Sequence, residues 1–349
     1  MSFSPPVFPA FDPALAARLR ARIDGKAKPP GSLGRLEDLA VQIALVQGTE
    51  TPRIERIEAY VFAGDHGLNA EGVSAYPSAV TTAMVATFLA GRASVNALAG
   101  ACGVDVIVVD AGGDADIPSH PRLIDAKIRR GTRNAAVEPA LTPAEIDAAL
   151  TRGAEIAAAS SAEALVLGEM GIGNSASAAL IMHRLAPAPL DDCIGAGAGH
   201  DAAGMARKRA VLERAAARTG ASEPLAVLAE FGGLEIVMMA GAFLGGAAAG
   251  KLMVVDGFIS SAAALAALRL APGLAERLVF AHVSAERGHA SLLAAAGAQP
   301  LLNLGMRLGE GSGGVLAAPL LKAAVRLMSE TASLEDVLAG RITPSHGAP

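Results

Sequence analysis

Hydrophobic and polar positions along the chain form two patterns, short apolar runs and stretches of helical periodicity. Five apolar runs have the length and composition of strands buried on both faces of a sheet. They are Ala59–Ala63, Val104–Val109, Ala164–Leu167, Leu252–Val255 and Leu278–Ala281. Because enough chain separates each run from the next for a crossover helix, the pattern predicts an α/β fold with a largely parallel sheet.

Helix signals lie between and around these runs. Residues that commonly cap helices precede apolar positions at helical spacing, and one of them, Thr142, forms a capping-box pattern with Glu145. The predicted N-caps are Asp12, Ser32, Thr142 and Ser333. The uncharged run Ile236–Gly250 is rich in small residues and shorter than the ~18–20 residues of a membrane span, so it predicts a buried helix.

Composition narrows the class of protein. The chain has 349 residues, of which 52% are hydrophobic and 18% charged, which suits a large domain with a smaller one and excludes disorder. A net charge of −5 and 3% aromatic residues provide neither the basic patch nor the stacking side chains of a nucleic-acid-binding protein. Two cysteines and an N-terminus without a secretory pattern predict a cytoplasmic location.

The residues that follow the five strands point to a ligand site. The strand exits read GDHG, DAGG, GEMG, DGF and HVS. Turn preferences alone favour glycine and aspartate at any one of these positions. Because the carboxyl ends of parallel strands share the edge where open α/β sheets bind ligands, the five exits together predict a site at that edge.

Two glycine loops have the form of anion sites at helix starts. In Leu165–Leu180, Gly171 and Gly173 free backbone N–H groups for a phosphate, although the spacing is neither the dinucleotide fingerprint nor a Walker loop. Glu169 in this loop would repel phosphate, so it either faces ribose hydroxyls or a developing cation, or is solvated. In Gly195–Glu213, a helix follows the glycines and carries a basic residue that either reaches phosphate or lies on an exposed face.

That basic residue is Lys208 or a neighbouring Arg, and two further positions after the strands carry side chains that could bind or react. Ser284 suits a phosphate hydrogen bond and a helix N-cap equally well. The stretch MRLGEGSGG, from Met306 to Gly314, sets one carboxylate, Glu310, among four glycines. Such a loop lets a ligand approach the backbone closely, and the alternative is a surface turn with a solvated glutamate.

Metal and serine-nucleophile chemistry have weaker signals. No Cys–His cluster, zincin spacing or GxSxG elbow is present in the sequence, and Ser312 lies in a different glycine pattern. The residues that could assemble a metal site are Asp65, His66, His200, Asp201, Asp256 and His282. We therefore predict no metal.

Five motifs occur in an order that resembles the nicotinate-nucleotide–dimethylbenzimidazole phosphoribosyltransferase family over nearly the whole chain. They are KPPGSLGRLEDLA (28–40), FAGDHGLNAEGVSAYPSAVT (62–81), GEMGIGNSASAA (168–179), DGFISSAAAL (256–265) and NLGMRLGEGSGG (303–314). The resemblance implies transfer of phosphoribose from nicotinate mononucleotide to 5,6-dimethylbenzimidazole in cobalamin nucleotide-loop assembly. The products would be α-ribazole 5′-phosphate and nicotinate, with no metal or organic cofactor.

The resemblance also implies roles for individual residues. Glu310 would be the general base that removes the benzimidazole N–H proton, and Glu169 would face the ribose, where positive charge develops. Ser74, Tyr76 and Leu308 would line the benzimidazole pocket, and Asp256 would be a further ribose-side residue. The phosphate would be held by Gly171, Gly173, Lys208 and Ser284.

One departure concerns the acceptor. Family members often carry a Gln just after the VSA(F/Y)P stretch, whereas this chain has Thr82 and Ala83. A related benzimidazole, a purine or a phenolic acceptor therefore remains open.

The domain expectation combines the sequence pattern with the resemblance. We predict a Rossmann-like three-layer α/β domain over residues 51–304 and a small helical domain built from residues 1–50 and 305–349. The resemblance implies a homodimer. Two rival functions remain, a metal-dependent phosphohydrolase and a non-catalytic nucleotide-binding module.

Overall fold

A computed structural model describes residues 3–197 and 199–342. Within them the chain forms one six-stranded sheet in which every neighbouring pair of strands is parallel. The strands are β1 Ile57–Gly64, β2 Asp105–Gly112, β3 Leu123–Asp125, β4 Ala164–Met170, β5 Leu252–Val255 and β6 Leu278–Phe280. The predicted α/β fold and largely parallel sheet are confirmed.

The strand order creates a crevice at one edge of the sheet. The order is β3-β2-β1-β4-β5-β6. From β1 the chain adds β2 and then β3 on one side, and it then crosses back to add β4, β5 and β6 on the other side of β1. Successive connections therefore leave the sheet on opposite faces at the β1–β4 boundary, which is the topological switch point where doubly wound sheets bind ligands. Phe62 of β1 pairs with Glu169 of β4 close to this end.

Helices cover both faces of the sheet. They are α1 Pro13–Asp24, α2 Arg35–Gln47, α3 Ala79–Leu89, α4 Ser94–Cys102, α5 Pro143–Ala159, α6 Asn174–Leu185, α7 Leu190–Cys193, α8 Ala202–Ala217, α9 Pro224–Phe231, α10 Leu234–Ala248, α11 Phe258–Leu270, α12 His289–Ala295, α13 Ser312–Glu330 and α14 Leu334–Leu338. Two 3₁₀ helices span Gly67–Glu71 and Pro272–Arg277.

Two hydrophobic cores lie on the two sides of the sheet. Because successive strand residues point to opposite faces, Tyr60 and Phe62 join one core whereas Ala59 and Val61 join the other. The first core includes buried residues of α5, α6, α9, α10 and α11, and the second includes those of α1 to α4 and α13. The result is a three-layer arrangement.

Helices from the two ends of the chain meet in the second core. α2 packs on α13, and a backbone bridge pairs Lys26 with Ser333. α13 begins two residues after Glu310, so this packing fixes where the Glu310 loop enters the sheet edge. The division of the chain into a large domain and a small helical domain stays a prediction.

Several local predictions are confirmed by the caps. Asp12 accepts the N–H of Ala14, and Ser333 accepts that of Asp336. Thr142 and Glu145 form the reciprocal capping box at the start of α5. The run around 236–250 is the buried helix α10.

One strand was not predicted, and one predicted cap is wrong. The sequence reading missed β3, which at three residues is too short to show a period. Ser32 does not cap α2, which begins at Arg35. The backbone N–H groups of Gly31 and Leu33 instead donate to the buried carboxylate of Glu37, at 3.1 and 2.9 Å.

One segment of the described chain, Ala79–Cys102, has the length and mean hydropathy of a membrane-spanning helix. It is not a single helix, because α3 ends at Leu89 and Gly91 adopts a left-handed φ of 70° before α4 begins. Length and composition alone are weak evidence for a membrane span.

Candidate functional site

A cavity of about 460 Å³ opens at the carboxyl edge of the sheet, at the β1–β4 crevice. Eight of the ten residues to which the family resemblance gives a role line it: Ser74, Tyr76, Glu169, Gly171, Gly173, Ser284, Leu308 and Glu310. Lys208 and Asp256 do not line it and lie fully buried behind its wall. Residues far apart in sequence therefore converge because their strands end at one edge.

The Glu310 loop is packed tightly against β4. A Cβ built on Gly168 would lie 2.2 Å from the backbone N of Gly311, so only glycine allows this approach. Glu310 has a φ of 65°, and it is the one non-glycine residue with positive φ in the described part of the chain. Such a conformation is uncommon for a residue with a side chain and is found at sites where the surroundings impose it.

The carboxylate of Glu310 is buried, with 6% of the residue exposed. Its Oε2 accepts a hydrogen bond from the N–H of Val95, 3.3 Å away, in the first turn of α4. Burial raises the pKa of Glu310, the Val95 hydrogen bond opposes this, and the negative charge of Asp256 raises the pKa further. The carboxyl group is thereby moved towards the range in which a glutamate can act as a base near neutral pH.

Glu169 lies at the end of β4 and is also 6% exposed. Burial, followed by the negative charges of Asp256 and Glu235, raises the pKa of Glu169 to about 8. Its Oε2 accepts a hydrogen bond from the side-chain amide of Asn174. In the free protein Glu169 therefore carries a proton at neutral pH.

The start of α6 has the form of an anion site. Gly173 precedes the helix with a φ of 95°, and Ser175 also lines the cavity. Oriented N–H groups and the helix dipole favour a negative group at such a position.

Lys208 supports this site from behind. Its Nζ donates to Ser175 Oγ and to the carbonyl of Gly195, each at 2.9 Å. Burial lowers the pKa of Lys208 to about 8. Of the two alternatives left by the sequence, the exposed basic face is wrong, because Lys208 is 0% exposed.

Ser284 also lines the cavity. Its Oγ accepts the N–H of Glu286 at 3.2 Å, and α12 begins only at His289, so Ser284 caps a turn and not that helix. Its backbone N–H donates to Nδ1 of His289 at 2.7 Å. Because that nitrogen accepts, the other ring nitrogen carries the proton and donates to Ser261 Oγ at 2.9 Å.

The mouth of the cavity is largely apolar. Tyr76 and Leu308 are about half exposed there, at 48% and 53%. On α3, Val80 and Met84 line the cavity, whereas Thr82 and Ala83 do not. The two positions where the family resemblance led us to expect an amide therefore lie outside the lining.

Sequence reasoning missed three contributors. His66 Nε2 lies 2.6 Å from Glu235 Oε1 in a fully buried pair beside the cavity. Burial lowers the pKa of His66, but the charge and hydrogen bond of Glu235, together with the charge of Asp65, outweigh it and raise the pKa above its ordinary value. Asn174 lines the cavity and donates to Glu169 Oε2 through its side-chain amide. Arg307 lines the cavity and donates to the carbonyl of Gly197 at 3.0 Å. The polar strand exit GDHG was the signal for His66, but nothing in the sequence pairs it with Glu235.

The side chains that could have formed a metal site do not come together as one. Within residues 3–197 and 199–342, no group of three or more His, Cys, Asp or Glu is arranged to hold a metal ion. His200 donates to the carbonyl of Val73 at 2.7 Å, and Asp201 accepts the N–H of Gly204 at the start of α8.

Comparison with known proteins gives one consistent result. A family model described as phosphoribosyltransferase matches residues 8–338. The chain is 56% identical over 330 residues to the nicotinate-nucleotide–dimethylbenzimidazole phosphoribosyltransferase of Ralstonia nicotianae, with 93% of each chain covered. It is 52% identical to that of Variovorax paradoxus, with 95% of each covered. The crystal structure of CobT from Thermus thermophilus superposes with a TM-score of 0.90 at 44% identity, covering 95% of this chain and 100% of that one.

Proposed function

Because the chain belongs to the nicotinate-nucleotide–dimethylbenzimidazole phosphoribosyltransferase family, we propose that it transfers phosphoribose from nicotinate mononucleotide to 5,6-dimethylbenzimidazole. The enzyme is a phosphoribosyltransferase and hence a pentosyltransferase. The products are α-ribazole 5′-phosphate and nicotinate, and the reaction belongs to the synthesis of the cobalamin lower ligand. The observation that carries the proposal is the buried Glu310 carboxylate in the cavity at the switch point.

Glu310 acts as the general base. One nitrogen of the benzimidazole loses its proton to the Glu310 carboxylate while the other nitrogen attacks C1′ of the ribose. The bond between C1′ and the nicotinate nitrogen breaks, and its electron pair leaves with nicotinate. Attack opposite the leaving group converts the β configuration at C1′ to α.

Glu169 stabilises the sugar as positive charge develops at C1′. In the free protein its pKa of about 8 keeps it neutral. The cationic pyridinium ring of the bound nucleotide, and then the developing charge on the ribose, favour the ionised carboxylate. Its electrostatic contribution is therefore greatest when the substrate is in place.

The phosphate is held at the start of α6, by Gly171 and Gly173 with Ser284 and with the charge of Lys208 behind them. Arg307 is positively charged, lines the cavity, and attracts the anionic nucleotide. Ser74, Tyr76 and Leu308 contact the acceptor. The ribose-side role of Asp256 stays a prediction of the resemblance.

The protein is a cytoplasmic homodimer in this proposal. In support of the homodimer, the apolar helix α3 leaves Ala79, Ala83 and Ala86 exposed next to the cavity mouth, and Ala90, which caps its end, is exposed as well. Light scattering coupled to size-exclusion chromatography should give twice the mass of the chain, and a monomer would contradict the assignment.

The two rival functions differ from this proposal in measurable products. Incubation with nicotinate mononucleotide should release nicotinate only when an acceptor base is added, and NMR of the product should show an α-linked ribose. A nucleotide-binding module would bind without releasing nicotinate. A phosphohydrolase would release inorganic phosphate, and chelation of metal would stop it.

The same assay identifies the acceptor. 5,6-Dimethylbenzimidazole, benzimidazole, adenine and a phenol should be compared at equal concentration. Because the side chains of Val80 and Met84 that face the cavity are apolar, we expect the benzimidazoles to react faster than adenine. Faster reaction with adenine or phenol would contradict the assigned acceptor.

A further inference from the structure

The Glu310 loop adopts a backbone that needs external support. Gly309, Glu310 and Gly311 have φ values of 84°, 65° and 84°, so three consecutive residues are in the left-handed region. Only the central one has a side chain, and that side chain is the proposed base. A residue with a Cβ does not hold this conformation by its own preference.

The support comes from Asp256, which follows β5 and is 2% exposed. Its Oδ2 accepts the N–H of Gly311 at 3.1 Å, and its Oδ1 accepts the N–H of Gly314 at 2.9 Å. Both carboxylate oxygens are therefore bound to backbone that immediately follows Glu310. Gly314 lies in the first turn of α13, so Asp256 also caps that helix from a different part of the chain.

His282, which follows β6, closes the other side of the loop. Its Nε2 lies 3.8 Å from Asp256 Oδ1, and a Cβ built on Gly313 would lie 2.1 Å from its Cδ2. The segment after Glu310 is thus enclosed between Gly168 of β4, Asp256 and His282. Each is placed by the end of a different strand of the rigid sheet.

We propose that Asp256 is a positioning residue for Glu310, which fixes the left-handed loop through the amides of Gly311 and Gly314. This role rests on the proposed function of Glu310 as the base. It replaces direct contact with the ribose as the main contribution of Asp256, because both oxygens of the carboxylate are already occupied.

Asp256 also acts on the charge of Glu310. The groups that face Glu310 are Glu169 from β4, Asp256 after β5, the N–H of Val95 from α4, and Arg307 and His282 on the cavity wall. The negative charge of Asp256 raises the pKa of Glu310, after the larger effect of burial. Burial raises the pKa of Asp256 as well, but His282 and the N–H groups of the glycine loop favour its ionised form and oppose that rise. Removing that charge should lower the pKa and weaken the base.

The first test is Asp256→Asn, which keeps the size of the side chain but removes the charge and one of its two acceptors. The matched control is Asp110→Asn. Asp110 is a buried carboxylate near the end of β2 that accepts the N–H of Gly113 at 2.8 Å and does not line the cavity. D256N should lower kcat about 10- to 100-fold, change the KM for nicotinate mononucleotide less than about threefold, and move the acid limb of the kcat–pH profile to lower pH.

Three results would overturn the proposal. A large rise in KM with kcat unchanged would show a ribose ligand instead. An equal loss of kcat in D110N would show a general structural effect. An acid limb that does not move would show that Asp256 does not act on the charge of Glu310.

A second variant separates geometry from charge and is available if D256N does not fold. Gly313→Ala introduces a Cβ against the His282 ring and displaces the loop while the Asp256 carboxylate remains. It should lower kcat without moving the acid limb towards lower pH. Unchanged kcat would contradict a role for loop geometry.

Hydrogen exchange without substrates keeps the positioning role distinct from the proposed function. In D256N the amides of residues 309–314 should exchange faster than in the wild type, and in D110N they should not. If the proteins exchanged in this way but the wild type performed no phosphoribosyl transfer, the proposed function would fail while the positioning role would stand. Equal exchange in all three proteins would overturn the positioning role.

Discussion

Glu310 accepts a hydrogen bond from the backbone N–H of Val95, 3.3 Å from its Oε2. Val95 lies in the first turn of α4, whose helix dipole favours a carboxylate. This contact opposes the burial and the Asp256 charge that raise the pKa of Glu310. The same contact orients the side chain of Glu310. The carboxylate is therefore held by α4, whereas the backbone of the loop is held by Asp256 at the edge of the sheet.

Replacing Glu169 by Gln should stabilise the free protein at alkaline pH while it slows the reaction. A raised pKa contributes stability that is complete below the ordinary value of 4.5 and is lost as the pH rises towards 8. For a pKa raised from 4.5 to about 8, the complete loss amounts to roughly 5 kcal/mol. Urea unfolding of E169Q should therefore show less loss of stability between pH 5 and pH 8 than the wild type.

The control for that measurement is Glu155→Gln, which also removes one negative charge but from an exposed side chain of α5. If E169Q and E155Q unfold with the same pH dependence as the wild type, Glu169 does not carry a proton in the free protein. A full kcat in E169Q would remove it from the stabilisation of the sugar.

Replacing Lys208 by Met should raise the KM for nicotinate mononucleotide about tenfold or more and lower kcat less. The Lys208 ammonium holds Ser175 and the Gly195 carbonyl, so its loss removes both the charge and the alignment of the phosphate site. Because burial lowers its pKa to about 8, the wild-type kcat/KM should fall above that pH. Lys251→Met, at the amino end of β5, is the control. An unchanged KM in K208M would exclude Lys208 from phosphate binding.

His289 should make the protein less stable in acid. Burial and the nearby His282 lower the pKa of His289 to about 4. Between pH 6.5 and 4 the unfolded chain binds a proton that the folded protein does not, so stability falls as the pH decreases, by about 3 kcal/mol at most. His289→Asn can still accept the N–H of Ser284 and should show a flatter pH dependence of unfolding. If the stability of the wild type and of H289N depended on pH in the same way, the ring of His289 would not be neutral in the folded protein.

The sequence predicted the elements that depend on local pattern. Strand composition predicted five of the six strands. The residues that follow β4, β5 and β6 form part of the cavity lining, since parallel strands end at one edge. Asp12 and Thr142 could be recognised as caps because their partners lie within three residues.

What the sequence could not predict depends on contacts between distant residues. His66 and Glu235 are 169 positions apart, and no period links them. Lys208 and Asp256 were assigned to the substrate, but their polar atoms bind the backbone and side chains that form the wall. Ser32 is of a residue type that commonly caps helices, yet the backbone N–H groups of Gly31 and Leu33 donate to the Glu37 carboxylate.

The central claim is that Glu310 removes the proton from the acceptor, and Glu310→Gln tests it most directly. The measurement is the single-turnover rate of α-ribazole 5′-phosphate formation, together with the Kd for nicotinate mononucleotide from calorimetry. We predict a Kd within about twofold of the wild type and a rate lower by about 10²- to 10⁴-fold, which is the range for loss of a general base. An E310Q enzyme that forms product at the wild-type rate would contradict the account.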